Sequence, residues 1–116
     1  MYRAIQSALF VAATIALPLA AQAATTAQIL ASPRNYDGQH IEVTGRIWHP
    51  RIVTEANGAT YVRFILCHGR CVRVFASGRP SLISGATITL RGTYFLRTSI
   101  GGRNVVNVIE ADPGSL

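Results

Sequence analysis

Five short runs in which apolar and polar residues alternate constrain the fold of this chain more than any other feature. They occupy residues 40–48, 60–66, 71–76, 86–96 and 105–111. A period of two is typical of a β-strand that turns one face to a core and the other to solvent. In the first run, Ile41, Val43 and Ile47 fall on one side. The sequence therefore predicts an all-β domain with five strands.

The segments between these runs have the composition of turns. Residues 49–59 are predicted to form a connecting loop because they contain the strong turn signal Asn57-Gly58. Residues 77–85 are predicted as a turn-rich connection that is short for a full helix, and residues 97–104 as a hairpin turn.

A short helix is predicted before the first strand. Thr25 or Thr26 can cap it, and it continues through Ala31 until Pro33 stops it. Residues 34–39 then have the composition of a turn. The domain is therefore predicted to begin with one short helix.

Two of the predicted strands carry a glycine in their interior, Gly45 and Gly92. A strand interior normally avoids glycine, and a sharp bend or bulge is the usual reason for one. Five short, bent strands suit a closed barrel better than an open sheet, whose edges would be exposed to other chains. An SH3-like barrel or a fragment of an open sandwich also accommodates five strands.

Four segments carry a resemblance to a known family: "YDGQHIEVTGRI", "YVRFIL…CVRVFA", "LISGATITLRGTYF" and "VNVIEA". Together they resemble the exported and tRNA-anticodon-type OB-fold domains, a nucleic-acid-binding family, over Ile29 to Ala111. The resemblance implies a small five-stranded OB-fold (Greek-key) barrel with a short N-terminal helix. One departure is that residues 77–85 leave little room for the helix that many OB-folds have between the third and fourth strands.

The first 23 residues have the features of a signal peptide. Arg3 precedes an apolar run from Ala8 to Leu17 that is too short for a membrane span, and Ala21-Gln22-Ala23 matches a signal-peptidase site. We expect cleavage after Ala23, which leaves an OB-fold domain of residues 24–116 without a membrane span. The predicted location is periplasmic or secreted.

Cys67 and Cys71 are the two cysteines, and His68-Gly69-Arg70 separates them. If these three residues form a hairpin loop with Gly69 or Arg70 in a left-handed conformation, the cysteines lie opposite one another. Opposed residues are close enough for a disulfide after a small adjustment, and an exported domain meets an oxidising environment. The pattern therefore favours a disulfide that holds the hairpin.

Two other roles for the cysteines are weaker. A metal site could use Cys67, His68 and Cys71 with His49 or His40 as a distant fourth ligand, but adjacent Cys and His side chains in one hairpin rarely reach one ion. Redox switching is disfavoured because the C-x-x-C spacing and a βαβ unit are both missing.

The polar face of the first three strands combines arginines with aromatic residues. After residue 23 the chain has ten arginines, no lysine and five acidic residues. On this face we predict a ligand-binding set: Arg46, Trp48, Tyr61, Arg63, Arg73 and Phe75. Arginines follow phosphates and aromatic rings stack on bases in single-strand-binding OB surfaces. The alternative is an ordinary basic β surface, whose arginines are solvated. Arg51, Arg70 and Arg103 would border the face if their loops folded over it.

The sequence predicts a binding protein and no enzyme. The five acidic residues show no close pair for acid–base catalysis, and no serine or histidine has the setting of a nucleophile. No cofactor is predicted. The expected partner is single-stranded nucleic acid or another polyanion. The alternatives are a protein-interaction or envelope-assembly module with an acidic protein partner, and a metal or haem carrier.

Overall fold

The structure is a computed structural model that describes residues 21–116. The predicted signal peptide lies outside the described residues except for its last three positions. Within the described residues the chain forms two short helices and six strands. They are β1 (Gln22–Ala23), α1 (Thr26–Ala31), α2 (Pro33–Tyr36), β2 (His40–Thr54), β3 (Thr60–His68), β4 (Arg70–Ser77), β5 (Thr87–Ile100) and β6 (Arg103–Ala111).

The strands join in a hydrogen-bonded ring. Their order is β1-β2-β3-β4-β6-β5, and β2 also pairs with β5, so five strands close on themselves. The β4–β6 pairing is parallel and the other four pairings of the ring are antiparallel. The two residues of β1 pair in parallel with Ile41 and Glu42 of β2. The all-β prediction and its five strands are confirmed, and β1 is a short strand that the alternation did not predict.

The predicted loop at residues 49–59 is wrong for its first half, since β2 continues to Thr54. A β-bulge explains the error: Trp48 pairs with Ile65 and Arg51 with Arg63, so His49 and Pro50 together face one residue of β3. An extra residue shifts the alternation of the two faces by one position, so a strand predicted from a period of two ends there. The residues of the bulge belong to β2, but only the pairing of β2 with β3 shows that the bulge is there.

The predicted hairpin turn at residues 97–104 is also too long. The strands β5 and β6 extend to Ile100 and Arg103, and only Gly101 and Gly102 remain between them. Both glycines have positive φ angles, 57° and 79°, which glycine adopts without steric cost. The result is a long two-stranded arm formed by the ends of β5 and β6.

The prediction of a short N-terminal helix is confirmed. The Thr25 side chain accepts a 3.0 Å hydrogen bond from the backbone amide of Gln28. The Gln28 side chain accepts one of 2.9 Å from the backbone amide of Thr25. This is a capping box, which satisfies two amides at the start of α1. The turn predicted for residues 34–39 is wrong in its first half, because Pro33 begins α2. Neither helix of residues 21–116 is long and apolar enough to cross a membrane.

The alternating residues form the core as predicted. Ile41, Val43 and Ile47 of β2 are at most 1% exposed, and the alternating apolar residues of the next three strands join them. Ile29 of α1 is fully buried in the same cluster. Burying one such side chain contributes about 1.5–3 kcal/mol. The opposite faces of the strands are left for solvent and for ligands.

Gly45 is required by close approach of two strands. A Cβ atom at Gly45 would lie 2.8 Å from the carbonyl oxygen of Cys67. Gly45 pairs with Ile88 in an uninterrupted ladder, so the bulge of β2 lies later in the strand. Gly92 is equally tight against the backbone of Glu110. At both positions, therefore, a missing side chain lets a neighbouring strand approach.

Candidate functional site

A cleft of about 670 Å³ opens on the outer face of β3 and β4. Tyr61, Arg63, Arg73 and Phe75 of these two strands line it. One wall is the end of β2 and the residues that follow it, 53–56, and the other is the tip of the β5–β6 arm. The β5–β6 arm is therefore one wall of the cleft.

The two walls meet at Glu55 and Gly101. A Cβ atom on Gly101 would collide with the Glu55 carboxylate, and it would lie 4.0 Å from the Tyr61 hydroxyl. Glu55 is half-buried and is the acidic residue of the cleft. The contact joins the β2–β3 connection to the arm.

An aromatic pair lies on the floor of the cleft. The ring centroids of Tyr61 and Phe75 are 5.6 Å apart and the ring planes are inclined by 44°. Such a tilted pair is a favourable arrangement of aromatic rings. Phe75 is only 9% exposed, whereas Tyr61 is half-buried. Phe75 therefore supports the floor, and Tyr61 offers the more accessible ring.

Three arginines surround this aromatic pair: Arg63, Arg73 and Arg103. All three are exposed. Across residues 21–116, no guanidinium lies within 4.0 Å of a carboxylate; the close contact of this kind that is found joins the His40 imidazole and the Asp112 carboxylate. A guanidinium is always charged and binds phosphate or carboxylate through two parallel hydrogen bonds. The cleft thus presents cationic donors that make no ion pair within the domain.

The structure brings four of the six predicted site residues together in the cleft and places the other two beside it. Arg46 pairs with Cys67, and Trp48 with Ile65, on the strand next to β3. Trp48 is 37% exposed, and its ring lies beside Gly85 in the connection between β4 and β5. Trp48 nevertheless lies in one cross-strand row with Ile65 and Arg73. The face is therefore continuous from the cleft to Trp48.

A second depression of about 300 Å³ adjoins the cleft, and we call it the arginine pocket. His49, Arg51, Arg63, Ile65 and Arg73 line it together with Phe64. Arg63 and Arg73 line the cleft as well. The two cavities therefore share a wall of two guanidinium groups.

Sequence reasoning missed part of this site. Glu55 and Asn104 were not singled out, and Arg103 was expected at the face only if its loop folded over. The structure places Arg103 in the cleft, but at the start of β6 and not in a loop. Continued alternation through Thr98 and Ile100 was a signal that β5 runs further than its predicted end.

The disulfide between Cys67 and Cys71 is present, as predicted. The two residues pair directly across β3 and β4, and Gly69 has the predicted left-handed conformation, with φ of 80°. The hairpin loop is shorter than the predicted three residues, because His68 and Arg70 also pair.

Both sulfur atoms are bonded, so neither offers a thiolate to a metal ion. Residues 21–116 contain no cluster of three His, Cys, Asp or Glu side chains suited to a metal.

Comparison with known proteins adds one structural likeness. No family model and no curated protein matches the sequence. A crystal structure from Klebsiella pneumoniae subsp. pneumoniae, titled a "putative nucleic acid-binding lipoprotein", is similar in fold with a TM-score of 0.59. The similarity covers 78% of this chain and 87% of that chain at 17% sequence identity. At this identity the likeness concerns the fold.

Proposed function

We propose that this protein is an OB-fold barrel that binds single-stranded nucleic acid in the cleft. The observation that carries the proposal is the position of Arg63, Arg73 and Arg103, without ion pairs, around the Tyr61–Phe75 pair. A single strand presents phosphates and bases, and this cleft has a complementary group for each.

The topology supports the OB assignment. Counted from β2, the ring joins the first strand to the second and the fourth, and the third to the fifth. The cleft lies between the first connection, β2–β3, and the last, β5–β6. OB barrels bind oligonucleotides on the face of their second and third strands, between these same two loops. Here those strands are β3 and β4.

We also propose that the protein works outside the cytoplasm. The signal-peptide features of residues 1–23 support export, and the similar Klebsiella structure is titled a lipoprotein, a class of envelope proteins. The name of that protein also gives nucleic acid as its ligand. Binding without catalysis is the activity that we assign.

In this proposal, base stacking and phosphate neutralisation contribute separately to the affinity for a single strand. Stacking of one base on an aromatic ring contributes about 1–3 kcal/mol, and Tyr61 is the ring best placed to supply it. Each phosphate that an arginine neutralises releases counterions, which lowers affinity as salt rises with a slope of about 0.7 per single-strand phosphate. Binding should therefore depend on both an aromatic ring and ionic strength.

Fluorescence anisotropy with labelled oligo-dT and oligo-U tests this function at several salt concentrations. We expect Tyr61→Leu to weaken binding by roughly 5- to 150-fold, since it removes one stacked base. Tyr61→Phe keeps the ring and should bind like the wild type. Arg34→Gln, at an exposed position on α2 outside the cleft, is the control for charge.

Absence of oligonucleotide binding at low salt, with a folded protein by circular dichroism, would overturn the proposal. If Tyr61→Leu binds oligonucleotides as well as the wild type does, the cleft is not the binding site. A protein-interaction module would instead retain its partner in a pull-down after nuclease treatment, while failing to bind oligonucleotides. That outcome would mean that the same face binds an acidic protein partner.

A further inference from the structure

Two arginines stand directly opposite one another on neighbouring strands. Arg51 of β2 pairs with Arg63 of β3 in the antiparallel ladder. Directly opposed side chains of this kind have Cβ atoms about 4.5–5.5 Å apart, and like charges there are destabilising. Neither guanidinium has a carboxylate within 4.0 Å among residues 21–116. An anion bound between them would relieve this repulsion.

The bulge of β2 is what creates the pair. Without the extra residue, strict alternation would turn Arg51 to the side opposite Trp48; with it, Trp48 and Arg51 pair across the same outer face. His49, within the bulge, has a φ of 55°. This left-handed conformation is uncommon outside glycine, and such strain concentrates at functional positions. The backbone at His49 thus adopts an unfavourable conformation, and the bulge that contains it places Arg51 beside Arg63 and Arg73.

The rest of the arginine pocket has the same charge. Arg73 adds a third guanidinium and His49 an imidazole, and no acidic residue lines the pocket. Its volume of about 300 Å³ is that of about ten liquid waters, enough for a phosphate with part of its hydration shell. A guanidinium group binds phosphate through two parallel hydrogen bonds, and this pocket contains three such groups.

We propose that the arginine pocket binds one phosphate group, and that this phosphate belongs to the strand held in the cleft. The second part rests on the proposed function, whereas the first concerns the pocket alone. Since Arg63 and Arg73 border both cavities, a strand with its base on Tyr61 can extend its backbone across them into the pocket. The bound strand would then run from the β5–β6 arm towards the bulge.

The experiment uses two ligands and three variants of the whole exported protein. Inorganic phosphate is titrated and followed by the NMR shifts of the backbone amides of His49, Arg51, Arg63 and Arg73, with chloride at equal ionic strength as reference. Oligo-dT affinity is measured as a function of salt. The variants are Arg51→Gln, Arg51→Lys and the control Arg34→Gln, each checked by thermal unfolding.

We expect phosphate to shift these amides saturably, and Arg51→Gln to abolish the effect while Arg34→Gln preserves it. Arg51→Lys keeps a positive charge but loses the planar fork, so binding should fall only in part. Arg51→Gln should also reduce the salt slope for oligo-dT by about 0.7, the contribution of one phosphate.

The outcomes separate the two proposals. If oligo-dT binds and Arg51→Gln matches Arg34→Gln in slope and affinity, the pocket does not hold a phosphate of the strand and the inference is wrong. If phosphate titrates the pocket but oligo-dT does not bind, nucleic-acid binding fails and the anion pocket stands. If phosphate at equal ionic strength gives no saturable shift, the pocket itself is refuted.

Discussion

The hydroxyl of Thr26 lies 2.7 Å from the carbonyl oxygen of Arg70 and donates a hydrogen bond to it. It also approaches the carbonyl oxygen of His68 at 3.2 Å, and Thr26 is completely buried. Helix α1 is therefore fixed to the turn that joins β3 and β4. The disulfide closes the same turn, while Tyr61 and Phe75 lie towards the other end of the hairpin. One end is held in place and the other carries the cleft.

Replacing Thr26 by Val should lower the free energy of unfolding by about 0.5–1.5 kcal/mol, because the hydrogen bonds from the Thr26 hydroxyl to the two carbonyl oxygens are lost. Thr26→Ser keeps the hydroxyl and is the matched variant. Urea denaturation followed by circular dichroism measures both. Equal stability of Thr26→Val and wild type would show that this hydrogen bond does not hold α1 to the turn.

The protein purified without reductant should contain no thiol that reacts before reduction, since Cys67 and Cys71 are bonded. Thiol titration in denaturant should find two thiols after reduction. Replacing both residues by Ala should destabilise the domain by about 2 kcal/mol or less, because the bridge spans only four positions of the chain. A thiol found before reduction would contradict the bridge.

A methyl group at Gly45 should destabilise the domain. Gly45→Ala would push a Cβ atom against the carbonyl oxygen of Cys67, and such overpacking costs about 1–3 kcal/mol. Thr87→Ala, at an exposed position on the adjacent strand β5, serves as the control. The measurement is the denaturation midpoint, and an unchanged midpoint for Gly45→Ala would show that β2 and β3 can separate there without cost.

Stability should fall as the pH rises above about 10 because of Tyr94. Burial, together with the negative charge of Asp37, raises the pKa of Tyr94 above its usual value of 10.0. The folded state then holds the phenol proton more tightly than the unfolded state, so this contribution is complete below pH 10 and is lost as pH approaches the raised pKa.

Tyr94→Phe should show a shallower loss of stability between pH 9 and pH 11 in urea denaturation. At neutral pH the variant should be less stable than wild type, since the Tyr94 hydroxyl donates a 2.5 Å hydrogen bond to Asn107. Identical pH profiles for the two proteins would exclude Tyr94 as the titrating group. Asn107 has a φ of 53°, and this bond helps to hold it there.

Fluorescence of Trp48 should report the length of a bound strand. Its indole lies beside Gly85, outside the cleft but on the same face. A short oligonucleotide held only in the cleft should leave the emission unchanged, whereas a longer one that reaches Trp48 should quench it. Titration with oligo-dT of increasing length makes the comparison. Quenching by the shortest strand that binds would place the primary site at Trp48 instead.

Much of the fold follows from local patterns. The core residues Val62, Phe64 and Leu66 were evident from alternation, because the side chains of a strand point to opposite faces in turn. The capping box at Thr25 and the opposition of the two cysteines involve residues three or four positions apart. Local geometry decides such features before any distant contact forms.

The sequence by itself therefore determined the strands, the buried face, the first helix and the disulfide. Only the tertiary structure decided which charged side chains share a site. Arg103 shares the cleft with Tyr61 because β5 and β6 continue into a long arm, and Arg51 faces Arg63 because an extra residue in β2 shifts the pairing. Both outcomes depend on contacts between strands far apart in the chain, and the period of a single strand does not encode the register of its partner.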